Sequence, residues 1–94
     1  MTVFLTRRAE KNYDAIKERI RNEWGEKTAK EFTLKTDEFF NLLKAYPAMG
    51  QIEKDEIRGF QLTPQTRVLY RTKGERIIVL ALFDVRQNPK KKFR

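Results

Sequence analysis

An α+β fold is the architecture this sequence predicts: a strand, a helical hairpin and a three-stranded antiparallel meander, with the helices packed on one face of a four-stranded sheet. Three observations lead there. Residues 77–83 form an uninterrupted apolar run between Arg76 and Asp84. Such a run is too short for a membrane span, which needs about 20 residues, and it suits a strand buried on both faces. Two stripes of apolar residues at helical spacing precede it, separated by a single glycine region. Between the stripes and the run lie two shorter segments with β character, each followed by a turn signal.

The elements follow in chain order. Residues 2–5, Thr-Val-Phe-Leu, are rich in β-formers. Thr6 suits a helix N-cap. From Arg7 onward Ala9, Tyr13, Ile16, Ile20 and Trp24 recur three and four residues apart, one face of an amphipathic helix that Gly25 ends. Ala29, Phe32, Thr36, Phe39 and Leu43 form the stripe of a second helix, widened by Phe40 and Leu42 and stopped at Tyr46-Pro47. So short a link makes the two helices an antiparallel hairpin. Most of these aromatics read as core, while Trp24 and Phe40 lie where they could face a partner.

Gly50 marks a loop, and three strands follow it. In residues 57–62 the apolar phase breaks at Gly59, which suggests a bulge. Residues 66–72 alternate, with Arg67, Leu69 and Arg71 on one face and Val68 and Tyr70 on the other. Lys73-Gly74 is a hairpin turn into the strand at 76–84. That strand needs a second neighbour, and only residues 2–5 can supply it. The helical hairpin then becomes the crossover and covers one sheet face. The other face is left open as a groove lined by alternate residues of the late strands.

Composition narrows the chemistry. Ninety-four residues make one domain, 1–94. With neither cysteine nor histidine, the chain lacks the two commonest transition-metal ligands and a histidine acid–base catalyst. No metal and no cofactor are therefore expected. The amino-terminal apolar run is too short for a signal-peptide core, and its charges follow it, so a cytoplasmic protein without a membrane partner is the expectation. Residues 1–56 hold equal numbers of basic and acidic side chains; residues 57–94 hold ten basic and two acidic ones, the whole net charge of +8. A field so concentrated favours an anionic partner, a nucleic acid or an acidic protein. No nucleotide-binding loop is present. What remains is arginines on a sheet face beside the tail Lys90-Lys91-Lys92-Phe93-Arg94, groups that bind phosphate or stabilise developing negative charge. Tyr70, Glu75 and Asp84 are the nearby groups that could move a proton, and they read more simply as core, hairpin surface and arginine partner.

The order and spacing of several pieces resemble the RelE/ParE superfamily of bacterial type II toxins. They are Arg8-Ala9, Trp24-Gly25, Tyr46-Pro47-Ala48-Met49-Gly50, Ile57-Arg58-Gly59-Phe60, Arg67-Val68-Leu69-Tyr70-Arg71, and Phe83-Asp84-Val85-Arg86-Gln87-Asn88-Pro89. The resemblance implies the fold derived above, a working surface opposite the helices, and a co-encoded antitoxin whose tail wraps the toxin. RelE-like members cut mRNA on the ribosome; ParE-like members poison DNA gyrase. Arg67 matches the RelE-like arginine of the third strand, and Arg86 sits near the one after the last strand. They are the candidate catalytic residues if the protein is a nuclease. Arg58, Arg71, Lys90, Lys91, Lys92 and Arg94 are the candidates for binding nucleic acid or target. Arg58 falls near a lysine cluster that this chain does not reproduce, and Phe93 stands about where RelE-like members carry a tyrosine. A phenyl ring cannot transfer a proton. The Arg-Gln-Asn-Pro ending looks like the ParE-like, plasmid-stabilisation branch. The resemblance thus implies a toxin that poisons gyrase and is neutralised by an antitoxin. The alternatives are ribosome-dependent mRNA cleavage and a basic nucleic-acid-binding module or degenerate toxin.

Overall fold

The computed structural model describes residues 1–86. Strand β1 (Thr2–Leu5) leads into helix α1 (Arg7–Trp24), which turns through Gly25 into helix α2 (Glu26–Ala45). Strands β2 (Gln51–Lys54), β3 (Ile57–Gln61), β4 (Thr66–Lys73) and β5 (Arg76–Asp84) follow. The sheet order is β1-β5-β4-β3-β2, with β1 parallel to β5 and the later pairs antiparallel. The expected crossover and meander are therefore present. Among the described residues no helix is long and apolar enough to cross a membrane.

The helical hairpin forms for the reasons visible in its sequence. The Thr6 side chain accepts a hydrogen bond from the Ala9 backbone N–H at 3.1 Å, satisfying one of the free donors at the start of α1. Gly25 has φ near 95°, a conformation that L side chains rarely adopt, and it reverses the chain between the two helices in one residue. Ala29, Phe32, Thr36, Phe39 and Leu43 are the buried stripe of α2. Phe39 stacks on Phe60 at 4.5 Å between ring centroids and meets Tyr70 edge-on at 6.4 Å. Val68, Tyr70, Ile77, Val79 and Leu82 carry the same core across β4 and β5.

Three details differ from the sequence expectation. Among the described residues the sheet has five strands rather than four. β2 was hidden because Gln-Ile-Glu-Lys holds a single apolar residue, and an edge strand needs no buried face to pair. Gly59 is not a bulge: its pairing with Leu69 lies in an unbroken register from Arg58↔Tyr70 to Gln61↔Arg67. Ile57 and Phe60 simply point to opposite faces, three residues apart. The β2–β3 register shifts instead at Glu53, between Ile52 and Lys54, and a second bulge lies in β5, where Leu69 pairs with Ala81 and Tyr70 with Val79, leaving Leu80 as the extra residue. This resets the side-chain phase, so that Ile77, Val79 and Leu82 face the helices while Ile78 and Phe83 face away. The backbone groups loosened there find side-chain partners. Thr6 Oγ1 donates to the Leu80 carbonyl at 3.1 Å, and the Leu82 N–H donates to Asn12 Oδ1 at 3.2 Å.

Candidate functional site

Among the described residues no element lies over the sheet face away from the helices. Arg67, Leu69 and Arg71 line it, while Val68 and Tyr70 belong to the core beneath the helices. Leu69 and Ala81 are almost fully buried even here, between longer same-face neighbours. A cavity of about 440 Å³ opens on this face, with Ile57, Leu69 and Leu80 in its lining and Arg8, Lys54 and Asp55 at its ends.

Arg67 is engaged within its own sheet. Its Nε donates to Glu53 Oε2 at 2.9 Å and its Nη1 to Gln61 Oε1 at 3.3 Å. The pair is well shielded, with 18% of the Arg67 side chain and 12% of the Glu53 side chain exposed. Gly59 lies directly beneath it: a Cβ there would collide with the Glu53 carboxylate and come within 2.9 Å of Arg67 Nη2. The glycine that broke the apolar pattern therefore makes room for an ion pair. Glu53 is the residue of this face that sequence reasoning missed, because its strand was unseen and its partner is 14 residues away.

Arg86 lies elsewhere. It follows β5 at the helix side of the sheet and grips Asp84, with Nη2 to Oδ2 at 2.7 Å and Nε to Oδ1 at 3.0 Å. Arg19 of α1 reaches the same carboxylate at 3.2 Å. The Arg86 hydrogen bonds, against the opposing effect of burial, hold the Asp84 carboxyl below the usual carboxylate range. Arg67 and Arg86 are thus on opposite faces and do not converge on one point.

Arg58 closes a loop: its Nη1 donates to the carbonyls of Gly50 at 2.8 Å and Ala48 at 3.2 Å. Tyr70 completes that loop from below. Its hydroxyl donates to the Pro47 carbonyl at 2.9 Å and accepts the Gly50 N–H at 2.8 Å. Burial raises the Tyr70 pKa. Any Cβ on Gly50 would come within 2.8 Å of that ring and hydroxyl, so the residue must be glycine for the loop to close. Arg71 is half-exposed on the open face and makes no ion pair with a described residue. Lys90, Lys91, Lys92 and Arg94 lie outside the described residues. Among the described residues no cluster of three or more acidic groups is placed to hold a metal ion.

Away from the sheet, Trp24 is 65% exposed at the end of α1, and it borders an apolar recess of about 300 Å³ between the helices and the 63–65 loop. Phe40 is half-buried against the core.

Comparison with known proteins adds to this geometry. Residues 3–89 match the family described as ParE toxin of type II toxin–antitoxin system, parDE. A solved structure described as the chromosomal ParDE toxin–antitoxin system from P. aeruginosa is similar at 25% identity and a TM-score of 0.77, over 90% of this chain and 96% of that one. The solution structure of a conserved hypothetical protein from Helicobacter pylori shares the fold at 17% identity and a TM-score of 0.60, over 93% and 97% of the two chains. No curated protein matches the sequence.

Proposed function

The chain belongs to the ParE toxin family of type II toxin–antitoxin systems, and on that premise we propose that it arrests growth by poisoning DNA gyrase in the cytoplasm and is neutralised by a cognate antitoxin. The match along residues 3–89 is the observation that carries this reading. The arrangement of the arginines supports it over phosphodiester cleavage. Arg67 already has two sides of its guanidinium engaged by Glu53 and Gln61, so a scissile phosphate would have to displace them. Arg86 is on the other face, held by Asp84. Tyr70 is buried with its hydroxyl between two backbone groups. These contacts serve the sheet and its loops.

The antitoxin reading rests on the open face. A sheet face that no described residue covers, with an apolar cavity on it, is a docking surface for a segment that brings apolar side chains to Ile57, Leu69 and Leu80 and acidic ones to the surrounding cations. Co-expression with the product of a small neighbouring reading frame is expected to raise soluble yield and melting temperature. Equal yield and stability with and without it count against that docking.

The target is tested by inducing the protein, mapping mRNA 5′ ends on translating ribosomes, and assaying purified gyrase in parallel. Stabilised gyrase–DNA cleavage complexes with intact mRNA are expected. Codon-phased cuts with normal supercoiling would replace the gyrase reading with a ribosome-dependent nuclease. Neither effect, in a protein that still binds its antitoxin, would identify a degenerate toxin.

A further inference from the structure

At the β4–β5 hairpin end the open face carries a second feature, distinct from the Arg67–Glu53 pair. Register places two rows of side chains across three strands. Phe4, Ile78 and Arg71 are neighbours in one row, and Thr2, Arg76 and Lys73 in the next. Because alternate residues share a face, Phe4, Ile78, Arg71, Arg76 and Lys73 all project from the open side. Phe4 is 46% exposed, which is unusual for a phenyl ring on a strand with an apolar core available on its other face. The Arg76 guanidinium lies over that ring, 5.5 Å from its centroid. Arg71, Lys73 and Arg76 form no ion pair with any described carboxylate, although Glu75 sits in the adjoining turn.

We propose that this patch binds unpaired nucleotides of a DNA or RNA strand, with a base stacked on the Phe4–Arg76 platform and the phosphates beside it held by Arg71 and Lys73. The chemistry of the patch selects that ligand. A guanidinium resting on an aromatic ring presents a flat cationic surface on which a base stacks, and every base offers a π-face. Arg71 and Lys73, two residues apart on one strand, stand roughly 7 Å from each other along it. They supply positive charge in line beside the platform, as a strand-tracking groove does. A duplex keeps its bases stacked inside and offers the platform nothing. An acidic peptide would engage the three cations but gains nothing from the ring. The inference stands apart from the gyrase reading, since the free toxin can bind a strand whatever its target. Cleaved or opened DNA on gyrase and exposed mRNA are the two sources of such a strand.

The test uses the full chain and fluorescence anisotropy with labelled (dT)12, (rU)12 and a 12-base-pair duplex over a series of salt concentrations. Both single strands are expected to bind more tightly than the duplex, and the tighter of the two identifies DNA or RNA as the source. Phe4→Leu keeps an apolar side chain but removes the ring, and is expected to weaken binding about 5- to 100-fold without changing the salt slope. Replacing Arg71, Lys73 and Arg76 together with glutamine is expected to reduce the slope of log affinity against log salt by about 0.7 for each phosphate that is no longer neutralised. The carboxy-terminal lysines are the same in every variant, so their share of the slope cancels in the comparison. Melting temperature checks that each variant is folded, and Arg71→Gln alone serves if the triple variant is not. The proposal is overturned by failure of both strands to bind at low salt, by duplex binding equal to single-strand binding, or by an unchanged affinity in Phe4→Leu. Competition by oligoglutamate as effective as by unlabelled (dT)12 would also overturn it and assign the patch to an acidic protein.

Discussion

The two faces of this sheet are made by the same strands but put their arginines and aromatics to different uses. On the covered face Phe39 stacks on Phe60 and meets Tyr70 edge-on, and the Tyr70 hydroxyl that reaches inward is paired with two backbone groups. Arg58 and Arg86 on that side are held by loop carbonyls and by Asp84. On the open face Phe4 is half out of the surface, Arg71 has no described acidic partner, and an apolar cavity lies between the β2–β3 turn and the start of α1. The Glu53–Arg67 pair is the exception, a shielded contact on the exposed side. The difference teaches that a basic residue's position in a strand says less about its role than the face it projects from. Burial beneath the helices demands that each polar group be satisfied; the open face carries cations and rings in excess of what the fold requires.

Adjacent isoleucines make the contrast measurable. Ile77 is fully buried on the helix side and Ile78 half-buried on the other. Ile77→Ala is expected to cost about 2–5 kcal/mol, the lost transfer free energy plus a cavity that the packed helices cannot close. Ile78→Ala is expected to cost about 1 kcal/mol, since less area leaves water and solvent can fill the gap. Chemical denaturation of both variants checks this. Equal destabilisation would mean that the open face is as tightly packed as the core. Between them in size falls Tyr70→Phe, which strands the Gly50 N–H and the Pro47 carbonyl beneath the sheet at a cost of about 1–3 kcal/mol. Its effect should be read in hydrogen exchange at Gly50 as well as in overall stability.

Much of the covered face could be read from the sequence because its signals are local and periodic. The stripe of Ala29, Phe32, Thr36, Phe39 and Leu43 is the buried stripe of α2, and Thr6 and Gly25 act at the helix ends as their residue types require. The open face was legible as a consequence: one helical hairpin can cover only one of two sheet faces, and no other described element lies over the second. Its details were not. β2 carries one apolar residue in four, so no pattern marked it, and without it the Glu53–Arg67 pair could not be foreseen. The shift of phase at Leu80 was invisible because every residue around it is apolar. Arg58 reads as an exposed strand cation, whereas its guanidinium is drawn to two carbonyls of a loop some ten residues earlier. Long-range polar contacts of this kind depend on where the backbone passes, which no spacing rule encodes.

The smallest expected effect concerns Asp84, at the edge where the covered face meets solvent. Its carboxylate is nearly buried, but Arg86 and Arg19 that hold it are 59% and 38% exposed, so water screens much of their attraction. The Arg86 hydrogen bonds lower the carboxyl pKa in the folded protein below its unfolded value of about 3.9. As pH falls, the unfolded chain takes up the proton first, and folding loses the contribution of the ionised group. That contribution is complete well above the unfolded value, and it declines as pH drops through that value toward the folded one. Asp84→Asn keeps the shape without the charge. The variant should therefore be less stable than the parent at pH 7, with the gap narrowing below about pH 4. Urea denaturation at pH 7, 5, 4 and 3 reads that gap directly. A constant difference across the series would mean that the charge contributes nothing and that the amide acts only through the hydrogen bonds it changes. A difference that closes on acidification would tie the end of β5 to α1 by charge, leaving Arg86 a structural residue of the covered face.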